Sequence, residues 1–182
     1  MRRVGLRFLA ALLGRGRCRR SLAWLYTHGR SHGVGVNRIV VAGSSAGGHL
    51  GAMLLSGDWQ ADFDVPADVV KGAILVSGLY DLAPVQQTTP NDWLCMSAAE
   101  AIALSPQYRL PAASTRLCVA TAETDTDEFK RQSLDYAAAC RQQGCAVQCL
   151  DVPGRNHFDV IMDWMNPQAA LTQAAWALFD PA

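Results

Sequence analysis

The segment Gly43-Ser44-Ser45-Ala46-Gly47 has the form G-x-S-x-G. The run before it, NRIVVAG at 37–43, reads as a buried strand, and the run after it, GHLGAMLLS at 48–56, is rich in helix formers. That setting gives the pattern its chemical meaning. A serine on a sharp strand-to-helix turn projects its hydroxyl above a sheet, where it can act as a nucleophile. Small residues at 43 and 47 let strand and helix approach without a Cβ clash. The N–H of Ala46 is aimed at the anion that forms on an attacked carbonyl, and the helix N-terminus adds favourable potential there. Ser45, unlike Ser44, has glycines two positions away on both sides. A phosphate-binding turn is the competing reading, but the loop has neither a lysine nor a G-x-G-x-x-G pattern.

A serine hydroxyl needs a base, and the base needs an orienting carboxylate. His157, in the segment GRNHFD, follows the last strand-like run, at the sheet end where catalytic groups collect. His49 lies on the elbow helix and reads as a packing or hydrogen-bonding residue, and His28 and His32 as surface residues. The acid falls in AETDTDEF, where Glu123, Asp125, Asp127 and Glu128 are all candidates. Periodicity does not choose among them. Asp127 stands at the turn into the next helix, where a carboxylate can also serve as a cap.

The elements that must hold these residues alternate. Strands are expected at 37–43, 69–77, 116–121 and 146–152. Helices are expected within 20–33, 48–56, 98–105 and 127–144, with an irregular crossing at 78–97 and a final helical region ending near Phe179. Such alternation predicts an α/β architecture, a parallel sheet with helices on both faces.

Composition narrows the function classes. Half the residues are apolar, 18% are charged and the formal net charge is zero, so no global field recruits nucleic acid or a membrane surface. Basic residues crowd the opening run, and Asp58 is the first acidic residue. The run MRRVGLRFLAALLGRGRCRR reads as a solvated basic helix rather than a targeting segment. It is separated here as an atypical segment, 1–19, from a domain at 20–182. The six cysteines form no paired framework, which fits reduced thiols in the cytoplasm.

GSSAGGHL, SGLYDLAPV, TDEFKRQS and PGRNHFD together resemble bacterial arylformamidases, kynurenine formamidase-like enzymes of the hormone-sensitive-lipase-like branch of the α/β hydrolases. The likeness covers roughly residues 20–179. It implies a triad of Ser45, Asp127 and His157, the acid being placed by the D-E-F-x-R-Q-S motif. It also implies hydrolysis of N-formyl-L-kynurenine to L-kynurenine and formate, with no metal or cofactor. Related members cleave simple carboxylic esters. Ser44 stands where the family commonly has histidine. The chain contains no HGG, the loop that supplies further oxyanion donors in the family, and the first strands of the family's sheet have no counterpart. The resemblance therefore implies a partial α/β-hydrolase fold, truncated at the front, with an apolar edge at 37–43.

The expected substrate is a small molecule, with Ala46 as oxyanion donor and Tyr80 and Trp93 on the substrate side. No nucleic-acid or membrane partner is expected, and a homodimer is the assembly considered. The alternatives are a carboxylesterase with the same triad and a catalytically silent hydrolase fragment.

Overall fold

Four runs dense in Val, Ile, Leu and Ala form four strands in the computed structural model, which describes residues 14–179. They are β1 (Ile39–Ser44), β2 (Val70–Val76), β3 (Arg116–Ala122) and β4 (Ala146–Val152). Each pairs in parallel with its sequence neighbour, giving the order β1-β2-β3-β4. Parallel neighbours require crossovers, and helices supply them.

Successive side chains on a strand face opposite ways, so one run of residues feeds two cores. Ala73, Leu75, Leu117 and Val119 point to one face, packed with residues of α1 (Gly14–His28), α2 (Ala46–Leu55) and α6 (Asp127–Gln142). Ile74, Val76, Cys118, Ala120 and Ala122 point to the other, packed with Val160 and with Leu171 and Ala174 of α7 (Ala170–Ala177). This is the expected parallel sheet with helices on both faces, a partial α/β-hydrolase fold. β2 and β3 are buried on both sides from Gly72 and Leu117 onwards, which is why residues 72–76 and 117–120 read as apolar runs. Among the described residues β1 lies at one end of the sheet, with Val40 and Val41 half-buried and Ala42 exposed.

α6 buries Gln132, Ser133, Tyr136, Ala137 and Cys140, one stripe at helical spacing. It stops at Gln142, and Gly144 turns the chain with φ 98°. The crossing at 78–97 is less irregular than expected. Prolines at the first turns of α3 (Ala83–Gln86) and α4 (Pro90–Leu94) start two short helices. A capping box of Ser97 and Glu100 opens α5 (Ala98–Ala103). Of the basic run 1–19, residues 1–13 lie outside the described residues, and α1 continues through position 19.

Among the described residues, no helix is long and apolar enough to cross a membrane. All six cysteines are free thiols, and burial pushes Cys118 up to about 11 and Cys140 up to about 12.

Candidate active site

The turn between β1 and α2 places Ser45 in a conformation that side chains rarely adopt, φ 56° and ψ −119°. Two backbone bonds hold it there. The Ser45 N–H donates to the Val76 carbonyl at 2.8 Å, and the Ser45 carbonyl accepts from the His49 N–H at 3.0 Å. Gly43 makes the turn possible, because a Cβ at that position would drive into the backbone of Gly47. The same space at Gly47 is open, so of the two flanking glycines only Gly43 answers a close approach. Ala46 opens α2, and its N–H belongs to the first turn, which has no intrahelical acceptor.

His157 comes to Ser45 from the loop after β4. Its Nε2 lies 2.9 Å from Ser45 Oγ, and its Nδ1 lies 2.8 Å from Asp125 Oδ1. A carboxylate only accepts, so Nδ1 is the donor on that side, and in the tautomer with its proton there Nε2 is left to accept from the serine hydroxyl. Phe129 of α6 packs against the imidazole at 4.4 Å between ring centres, and Phe158 meets it edge-on at 5.4 Å. The His157 side chain remains 20% exposed while that of Asp125 is fully buried. The loop is held from within by Asn156, which donates to both carboxylate oxygens of Asp159 and accepts the N–H groups of Phe158 and Asp159.

The structure brings Asp125 to His157, and the placement of Asp127 there is corrected. Asp125 follows β3 in a tight turn, its N–H bonded to the Ala122 carbonyl at 3.1 Å. Its Oδ2 accepts from the Ala122 N–H at 2.8 Å and from the Ser77 hydroxyl. Asp127 is already the first residue of α6 and is exposed, so the helix carries it away from the imidazole. The other two acidic candidates have separate partners. Glu123 accepts from the Gly154 N–H and so ties down the His157 loop. Glu128 is paired with Arg131 and Gln132, which hold its carboxyl below the usual range.

Tyr80, expected beside the substrate, is instead fully buried. Its ring stacks on Tyr136 at 4.3 Å, and burial pushes its phenol far up. Trp93 is 65% exposed on α4. His49 is packed into the elbow helix, where burial lowers its pKa to about 4 and keeps the ring neutral. Sequence reasoning did not single out Ser77. The only hint was its place at the carboxyl end of a buried strand, where site groups gather. Among the described residues, no group of three His, Cys, Asp or Glu side chains could hold a metal ion.

A hydroxyl, an imidazole with its accepting nitrogen turned to that hydroxyl, and a buried carboxylate on the other nitrogen can together move a proton off the serine. The chain is 38% identical to kynurenine formamidase of Salmo salar over 144 residues, 76% of this chain and 48% of that protein. It is likewise 38% identical to kynurenine formamidase of Danio rerio over 143 residues, with the same coverage. The chain thus spans about half the length of the curated relatives it matches. The crystal structure of a thermostable esterase from Pseudomonas putida ECU1011 superimposes with a TM-score of 0.64 at 21% identity, covering 88% of this chain and 55% of that one. Residues 15–160 match the family of the alpha/beta hydrolase fold, and the protein belongs to that family.

Proposed function

We propose that this protein is a serine hydrolase that cleaves an N-formyl amide, with N-formyl-L-kynurenine as substrate. The observation that carries the reading is the continuous line from Ser45 Oγ through His157 to Asp125, at 2.9 and 2.8 Å. The choice of a formamide over other acyl groups rests on the similarity to the two fish kynurenine formamidases.

In this mechanism Ser45 attacks the formyl carbonyl while His157 Nε2 takes the hydroxyl proton. Asp125 holds the ring in the tautomer with Nδ1 protonated and stabilises the imidazolium that forms. The Ala46 N–H, at the positive end of α2, stabilises the tetrahedral oxyanion. Collapse expels the arylamine with the proton from His157. Water then enters, gives its proton to His157 and releases formate from Ser45 by the same route. The role of Asp127 in this reading passes to Asp125. Tyr80 leaves the substrate side for the core.

Two measurements test this. The first is labelling of the purified chain by a fluorophosphonate, with Ser45→Ala as control. Labelling that is lost in the variant supports Ser45 as nucleophile, and labelling that survives rules it out. A folded chain that takes no label is a silent hydrolase. The second is comparative turnover of N-formyl-L-kynurenine and a short-chain aryl ester. Turnover of the ester alone makes the protein a carboxylesterase.

A further inference from the structure

The carboxyl end of β2 touches the nucleophile turn and the acid at once. The Val76 carbonyl accepts the Ser45 N–H at 2.8 Å. The next residue, Ser77, is fully buried and donates its hydroxyl to Asp125 Oδ2 at 2.5 Å, and its N–H to the Ala120 carbonyl at 2.8 Å. Ser77 holds φ at 47°, a conformation in which glycine is at ease and a side chain is strained. A buried, strained serine whose hydroxyl ends on a carboxylate suggests that the hydroxyl is worth the strain.

The chain beyond Ser77 is clamped as well. Gln132 of α6 accepts the N–H groups of Tyr80 and Asp81 on a single oxygen, each at 2.8 Å. A Cβ at Gly78 would come within 2.6 Å of the Tyr80 hydroxyl, so the buried Tyr80 ring requires glycine next to Ser77. The stacked tyrosines and Gln132 therefore hold the segment that presents the Ser77 hydroxyl.

We propose that Ser77 is a positioning residue of the acyl-transfer site, its hydroxyl fixing Asp125, and through Asp125 the His157 ring, at the spacing that the Val76–Ser45 backbone bond sets for the nucleophile. The proposal rests on the serine-hydrolase reading above. Asp125 Oδ2 has two donors, Ser77 and the Ala122 N–H, and Oδ1 is left to His157. Loss of the Ser77 hydroxyl leaves the Ala122 N–H as the one donor to Oδ2, so that, apart from His157 itself, a single bond fixes the carboxylate.

The test uses the full chain with Ser77→Gly and Ser77→Ala. Glycine removes the hydroxyl and relieves the backbone, whereas alanine removes the hydroxyl and keeps the strain. Two readouts are taken: the rate of fluorophosphonate labelling, and the NMR signal of the His157 Nδ1–H, assigned by its loss in His157→Gln. Both variants are expected to label roughly ten- to a hundredfold more slowly, by analogy with the loss of outer partners that orient metal-binding histidines and carboxylates. The Nδ1–H signal is expected to move upfield and broaden, while Ser77→Gly unfolds no earlier than the wild type. Labelling of Ser77→Gly at the wild-type rate, or slowing in Ser77→Ala alone, overturns the proposal. An Nδ1–H signal unchanged in Ser77→Gly also overturns it. If the wild type takes no label, the hydrolase reading has failed separately, and the Nδ1–H signal alone decides whether Ser77 holds the Asp125–His157 pair.

Discussion

Ser45 and Ser77 stand at the carboxyl ends of adjacent parallel strands, and both hold positive φ, at 56° and 47°. They are tied through Val76, whose carbonyl takes the Ser45 N–H. One serine places its hydroxyl on His157 and the other on Asp125, so two strained turns meet the two ends of a single imidazole–carboxylate pair.

Two aspartates that lie two residues apart are expected to behave differently. Asp125→Asn should lower kcat about ten-thousandfold, because an amide no longer enforces the tautomer with Nδ1 protonated. Asp127→Asn should leave kcat within a few-fold of the wild type. Its cost is expected in stability, about 0.3–1 kcal/mol, from loss of a negative charge in the first turn of α6. Steady-state kinetics and urea unfolding of both variants check this. Equal activity of Asp125→Asn and the wild type would return the acid to another residue.

Gly43→Ala should damage both fold and reactivity. The new methyl meets the Gly47 backbone, which cannot turn aside as a flexible side chain would. The expected loss is about 1–3 kcal/mol in urea unfolding, the usual cost of overfilling a packed site. Because the displaced backbone opens α2, labelling at Ser45 should also slow. Gly47→Ala is the comparison: the space there is open, so stability should hold.

Stability should also depend on pH through His49. Burial lowers its pKa from 6.5 to about 4, so between those values the unfolded chain binds a proton that the folded chain refuses. Stability is therefore complete above pH 6.5 and falls as the pH drops towards 4. The full displacement corresponds to about 3 kcal/mol, and the measured effect should be smaller because part of the residue remains accessible to water. Unfolding curves for the wild type and His49→Gln across this range check it. The variant should lose this part of the pH dependence.

The strands were legible because β2 and β3 are buried on both faces over most of their length, so residues 72–76 and 117–120 carry no charged side chain. The elbow was legible because its glycines and serine are a local device, settled within five residues. The carboxylate that meets His157 was not, for a physical reason. Asp125 and Asp127 share a turn and a chemistry. What separates them is a bond to Ser77, forty-eight residues upstream, and the point at which α6 begins. Tyr80 misled for a similar reason. An aromatic residue after a strand end can face a substrate or a neighbouring helix, and its stacking partner Tyr136 lies far along the sequence.

The sheet order has a consequence for how the molecule is made. Each strand pairs with the next one in sequence, so the sheet can grow by addition of one strand at a time, every step closing a modest loop. The Ser45–His157 bond spans 112 residues and joins the turn after the first strand to the loop after the last. It can close only when β4 has docked. Competence to react with a serine-directed probe should therefore appear last in refolding, after the far-ultraviolet signal of the helices has recovered, which makes Ser45 a reporter of the final assembly step.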